Sequence, residues 1–289
     1  MRYIEPINST RDINTLGAIP SKWVRRIKRE PWLVEGAEPT GVYFDPGVVG
    51  LLYDLVWKPD GTAFFVLNAY LNYTVRRFNL STAWDIGSAY WSGQSCVINP
   101  NSAFRPRSVS FKPDGSRMFI FDGNDQKLLE YHLSSAWNVG TASLYGAKVL
   151  NYQAQYVFNA KMQWYNGGDW LYITYKTNLS SIGAIFDGPP YSHVNRIGLA
   201  WAHVPNFPLV TSTFIPEIGG NIYGIANDNT VYQNSMIAFL PSLGYSTENV
   251  SSYEVPGGVY NGLVSLNPTG TKMYIYNGQT KRMQEFSLV

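Results

Sequence analysis

The sequence predicts an all-β chain wound into a closed ring of about five small antiparallel sheets. Three observations carry that expectation. The composition suits strands and tight turns, a strand–turn–strand segment recurs along the chain, and the last copy lacks a strand that the start of the chain can supply.

Of 289 residues, 45% are hydrophobic, 15% aromatic and only 15% charged, with 26 Gly and 17 Pro. Charged residues usually make up about a quarter of a globular chain. Aromatic residues favour the pleated, half-buried surface of a strand, and Gly and Pro favour its turns. The formal net charge of +2 provides no overall field for a polyanion. Cys96 is the single cysteine, so no internal disulfide can form. The N-terminal stretch MRYIEPINST has no apolar core of a secretory leader. No 18-residue apolar run is present to span a bilayer as a helix.

The repeat is clearest in LVWKPDGTAFFVLN (55–68) and VSFKPDGSRMFIFD (109–122). Each is followed at a matching offset by FNLSTAWDIGSAYWSG (78–93) and YHLSSAWNVGTASLYG (131–146). A third copy, VSLNPTGTKMYIYN (264–277), runs on to the chain end. A fourth, MQWYNGGDWLYITY (162–175), and a degenerate fifth, YGIANDNTVYQNS (223–235), lack the Pro-Asp-Gly turn. Taking Trp57, Phe111, Trp164, Ile225 and Leu266 as equivalent gives spacings of 54, 53, 61 and 41 residues.

Within one copy, Val109 and Phe111 alternate with Ser108 and Ser110, the period-2 mark of a strand with one buried face. Lys-Pro-Asp-Gly is then a turn, because Pro presets φ, Asp bonds its own backbone and Gly accepts a positive φ. Residues 118–121 return as a second strand, 128–133 form a third, Ser-Ser-Ala-Trp-Asn makes a corner, and 142–150 supply an outer fourth. Four short strands per 40–50 residues is the signature of a β-propeller blade. The last copy stops after its third strand. Residues 31–36 and 40–45 resemble the missing corner and outer strand. The segment around Trp32 is therefore expected beside Phe286, closing the ring and leaving no exposed sheet edge. Four blades would dismiss 223–235 and six would split 163–218; five uses every residue. The expected organisation is an arm over 1–30 and a propeller over 31–289, with 180–205 a projecting loop.

The pattern FKPDGxxMFxF…YxLSxAWxVGTAS resembles a β-propeller repeat of bacteriophage virion proteins. Residues 110–121 with 131–143, 56–67 with 78–89, and 265–276 carry it, 61 of the 289 residues. The resemblance implies a non-enzymatic virion component, made in the host cytoplasm and built into the tail as a nozzle, tube-associated or appendage protein. Its implied partners are other tail or head proteins and copies of itself. The alternative is a receptor- or glycan-binding module at the tail tip, meeting the host surface.

The residues themselves predict no catalytic site, cofactor or metal. His132, His193 and His203 are the only histidines, and no HExxH pair or Gly-x-Ser-x-Gly elbow accompanies them. His132 reads as a strand residue and Cys96 as a small packed apolar group. Asp60 and Asp114 recur because the turn recurs. Trp32, Trp84 and Trp137 share one repeat position and so belong to the corner. Outside the repeat, Tyr70, Tyr73, Tyr191 and Trp201 are the better binding candidates, and Tyr191, His193, Trp201 and His203 form the candidate ligand loop. Residues 21–30 read as one helix, capped by Ser21 and ended by Pro31. Its Lys22, Trp23, Arg25, Arg26, Lys28 and Arg29 are candidates for docking a partner protein. Without aromatic interleaving, so short a basic run is a poor nucleic-acid site.

Overall fold

The computed structural model describes residues 33–47, 50–68, 73–98, 105–125, 127–149, 159–165, 170–176, 181–187, 202–204, 212–214, 221–225, 229–236, 247–259 and 262–288. The basic arm, Trp32, Tyr70, Tyr191, His193 and Trp201 lie outside them.

The described strands form five four-stranded antiparallel sheets, the blades of a β-propeller. The first blade holds β2 (Leu52–Trp57), β3 (Ala63–Asn68), β4 (Thr74–Leu80) and β5 (Ala89–Val97). The second holds β6 (Pro106–Phe111), β7 (Arg117–Asp122), β8 (Lys127–Leu133) and β9 (Ala142–Val149). The third is β10 (Asn159–Tyr165), β11 (Trp170–Lys176), β12 (Ser181–Asp187) and β13 (Ala202–Val204). The fourth is β14 (Ser212–Phe214), β15 (Asn221–Ile225), β16 (Thr230–Met236) and β17 (Thr247–Glu254). The fifth joins both ends of the chain: β18 (Leu263–Leu266), β19 (Lys272–Asn277), β20 (Arg282–Ser287) and, outermost, β1 (Glu38–Phe44). The first strands β2, β6, β10, β14 and β18 meet in succession, and β18 meets β2, so the ring closes.

Closure works as the truncated last copy implied, with a shift in the residues. Pro39 lies opposite Phe286, seven residues on from Trp32, which is outside the described residues. Val34 takes the place of Ile86 and Val139, the residue two positions after each corner Trp, and all three are almost wholly buried. The Val34 amide lies 3.3 Å from Gln233 Oε1 and 3.2 Å from Ser251 Oγ in the fourth blade. One short segment thus ties the fifth blade to the fourth.

Three other expectations are corrected. Residues 180–205 are not wholly a projecting loop, because β12 and β13 within them are blade strands. Ile225 is not equivalent to Trp57: it ends β15, the second strand of its blade, and the first strand is β14, upstream. First and second strands share a period-2 pattern, so without the Pro-Asp-Gly turn the copy could not be indexed. Closure also does not remove sheet edges, since among the described strands β5 and β9 each pair on one side only.

The core lies between blades. Phe65, Val75, Val109, Phe111, Met118 and Tyr131 fill the first–second interface, and Phe64, Phe78, Tyr274 and Tyr276 the fifth–first. The corner is built identically in both strict copies. Trp84 and Trp137 adopt φ of 63° and 64°, and their amides donate to the Gly61 and Gly115 carbonyls at 3.1 and 2.9 Å. Each indole lies over the glycine of its own Pro-Asp-Gly turn, where an added Cβ would overlap the ring. Asp60 and Asp114 each accept from the amide and hydroxyl two residues on. In the fifth blade Asn267 does this work instead, accepting from the Thr271 and Lys272 amides.

Candidate functional site

Each corner carbonyl is also a socket for the preceding blade. The Trp84 carbonyl accepts from Tyr274 Oη at 2.7 Å and Lys272 Nζ at 3.1 Å, across the fifth–first interface. Arg77 Nη1 reaches the Trp137 carbonyl at 3.2 Å across the next one. Turn, corner and neighbouring blade are thereby coupled in register.

A polar cluster joins the first strands of three blades. Asp54, Ser108 and Lys161 all stand three residues before the equivalent Trp57, Phe111 and Trp164, so they occupy one repeat position. Asp54 is 1% exposed and Lys161 7%. Lys161 Nζ contacts Asp54 Oδ1 at 2.5 Å and the Leu55 carbonyl at 2.6 Å, reaching past the second blade to the first. Asp54 Oδ2 accepts from Ser108 Oγ at 2.6 Å and the Val109 amide at 3.0 Å. The Leu55 amide donates to Asp54 Oδ1, and the Met162 amide to Ser108 Oγ. Four donors surround the one carboxylate, the buried Lys161 ammonium among them. Such a pair needs that saturation to offset its desolvation. In the fifth blade the same position is the buried apolar Leu263. Sequence reading missed this cluster, although stacking the copies would have exposed a buried position that changes from Asp to Ser to Lys.

A second polar group lies on the second blade. Arg117 Nη1 and His132 Nε2 both donate to Glu130 Oε1, at 2.8 and 2.9 Å. The His132 imidazole stacks on Tyr145 with centroids 4.0 Å apart and planes 8° apart. His132 is thus a strand residue, as expected, yet its side chain is 37% exposed. The Arg117–Glu130 pair has a counterpart in Lys272–Glu285 of the fifth blade, which identifies it first as a repeat feature.

Of the candidates named from sequence, His203 lies on β13 with its backbone opposite Ile182. Tyr73 takes φ of 44° and its hydroxyl accepts from Arg105 at 3.3 Å, a loop-packing role. Cys96 sits on β5, and burial pushes its thiol up to about 11. Among the described residues there is no group of three or more His, Cys, Asp or Glu able to hold a metal ion, and no helix long and apolar enough to cross a membrane. The larger exposed feature is a set of apolar side chains on the outer strands: Tyr90, Trp91 and Val97 on β5, Leu144, Tyr145 and Val149 on β9, and Tyr43 on β1.

No protein-family model matches the chain. No curated protein sequence matches it either. Among solved structures it is similar to the β-propeller domain of Cps50 (Swd1) from Myceliophteria thermophila, at 12% identity, covering 82% of this chain and 70% of that one with a TM-score of 0.44. It is also similar to hydrazine synthase of Kuenenia stuttgartiensis, at 13% identity, 81% and 71% coverage and a TM-score of 0.45. The WD40 domain of Toxoplasma gondii coronin matches at 11% identity and a TM-score of 0.43, over 84% of this chain and 58% of that chain. Likenesses this distant say nothing of activity or partner. Propellers host many unrelated functions.

Proposed function

We propose that this chain is a non-enzymatic structural component of a bacteriophage virion, built into the tail as a nozzle, tube-associated or appendage protein. The observation that carries the reading is the LSxAWxVGTAS corner repeat, with its resemblance to virion propellers. The architecture is in keeping with it. Coupled corners and a saturated buried ion pair make a stiff ring that can present loops and rims to neighbours. Its partners on this reading are other tail or head proteins and further copies of itself, with the arm of residues 1–30, carrying Lys22, Trp23, Arg25, Arg26, Lys28 and Arg29, as the anchor. The test is mass spectrometry of purified particles, together with a variant lacking residues 1–30. The variant should fold, with an unchanged far-UV spectrum, yet be missing from particles. Normal incorporation would overturn the anchor, and absence of the full chain from particles would overturn the virion reading.

A second reading, a receptor- or glycan-binding module at the tail tip, is favoured by the exposed His132–Tyr145 stack and the rim aromatics, since stacked rings offer sugar-facing surfaces. A glycan array probed with the full chain distinguishes it. Hits weakened by Tyr145→Ala would support this reading, and an empty array would remove it.

A further inference from the structure

We infer that the outer strand of the first blade, β5, is a docking edge for a second copy of this chain, which lays its own β5 alongside in the antiparallel sense.

The repeat provides an internal comparison of three outer strands on one scaffold. Gly41 of β1 and Gly93 of β5 occupy the same position, with φ of 80° and 79°. The residues before them, Thr40 and Ser92, both donate a side-chain hydroxyl to the neighbouring strand, at the Glu285 and Arg77 carbonyls. On this alignment Glu38 and Pro39 of β1 correspond to Tyr90 and Trp91 of β5. A charge and a missing N–H are two of the devices that stop an edge from recruiting another strand; a third, a bulge, is common to β1 and β5. The fifth blade has both the charge and the proline. The first has neither: β5 carries no charged residue and no proline over its nine residues, and leaves Tyr90 53%, Trp91 46% and Val97 55% exposed. The outer strand of the second blade, β9, is intermediate, with Lys148 on it.

Charge permits a second copy as the occupant. Two β5 strands meeting antiparallel bring no charged side chains of the strand face to face. Two cations of β4 adjoin β5: Arg76, whose guanidinium lies 5.5 Å from the Trp91 ring centroid, and Arg77, whose Nη1 donates to Gln94 Oε1 at 3.2 Å. In the joined sheet the two Arg76 would stand three strand spacings apart, about 14 Å, beyond the Debye length of about 8 Å at physiological salt. The ladder of β5 is interrupted between the partners of Arg76 and Phe78, at Gly93. Pairing centred there lets residues 89–92 of each copy run along 94–97 of the other, with Trp91 opposite Ser95. The contact is self-complementary and closes as a dimer.

Its size sets its strength. Nine residues span about 30 Å of edge, and a strip about 10 Å deep is roughly 300 Å² per copy. A stable interface needs about 800 Å² per partner. The pairing is therefore weak in solution and effective where copies are held close together. It identifies the surface for one partner named in the virion reading, and its test is independent of particles.

The experiment is sedimentation velocity on the full chain from about 1 μM to about 1 mM. The wild type should move from monomer to dimer with concentration. The double variant Tyr90→Glu/Trp91→Pro, which writes the fifth blade's guard into the first, should stay monomeric, while Leu144→Glu on the β9 edge should dimerise as the wild type does. Trp91→Lys, which keeps the N–H, serves if the proline unsettles the blade. A wild type that remains monomeric throughout overturns self-pairing and leaves the edge to a foreign strand. Dimers that survive both β5 variants place the contact elsewhere, and open-ended oligomers refute the two-fold arrangement.

Discussion

Adding one methyl group at Gly115 should weaken the fold far more than adding one at Gly93, although both glycines lie at positive φ. Gly115 has φ of 72° and Gly93 of 79°. An alanine at either position therefore bears the left-handed backbone strain of about 1–2 kcal/mol. At Gly93 nothing lies within 4 Å of the added Cβ, so the cost ends there. At Gly115 the Cβ would overlap the Trp137 indole, which itself packs on Phe111 and Phe65 with centroids 5.5 and 6.0 Å away. Moving the ring also loosens the Trp137 amide bond to the Gly115 carbonyl and the Arg77 bond to the Trp137 carbonyl. Displacing a packed Trp costs up to about 3–5 kcal/mol when it is lost entirely. A partial displacement adds about 2 kcal/mol, for a total near 3–4 kcal/mol. In a domain of this size 1 kcal/mol moves Tm by about 2–4 °C. Thermal unfolding followed by tryptophan fluorescence should place Gly115→Ala roughly 6–16 °C below the wild type and Gly93→Ala about 2–8 °C below it. Equal losses in the two variants would refute the claim that the indole, rather than the backbone, makes glycine necessary in the Pro-Asp-Gly turn.

Removing one partner of the buried Asp54–Lys161 pair should cost about 3–5 kcal/mol. Urea unfolding of Asp54→Leu should show that loss, and Asp54→Leu/Lys161→Met should recover much of it; a double variant no better than the single would show that the pair is not the source. Asp122, with its Oδ2 buried and unpartnered among the described residues, has its carboxyl pKa raised by burial. It therefore favours the fold most at acid pH and loses that contribution as pH rises through the raised value. The equivalent Asn277 donates its amide to the Gly258 carbonyl. Asp122→Asn should accordingly stabilise the protein at neutral pH by about 0.5–2 kcal/mol and flatten the pH dependence of Tm above the carboxylate range; a loss of stability at pH 7 would contradict this. The Cys96 thiol, raised to about 11 by burial, should react with a disulfide reagent at pH 8 only on unfolding, because the thiolate is the nucleophile. Fast modification of the native chain would show the site to be open.

How much could be read in advance depended on how local each feature is. The turns over 58–61 and 112–115 were legible because Pro, Asp and Gly act on their own backbone, and the corner tryptophans because their position recurs. The closing of the ring was legible from what the last copy lacks, though the residue that pairs with Phe286, Pro39, was not. The strand order of the fourth blade was not, because β14 has no turn motif beside it and a strand pattern alone does not say which strand of a blade it is. The polar cluster was hidden for a different reason. Asp54, Ser108 and Lys161 are far apart along the chain and look like scattered polar residues on strands.

By itself, then, the sequence determined that this chain is a ring of repeated four-stranded sheets with Trp corners, and that its two ends share one sheet. Those features come from short-range turn chemistry and from a period that recurs along the chain. Only the tertiary structure decided that a lysine of the third blade pairs with an aspartate of the first, and that among the described strands the β5 edge is unpaired, without the charge and proline of the matching β1 edge. Both depend on which strands become neighbours once the ring has closed. Burial and charge pairing are properties of that arrangement, not of any stretch of chain.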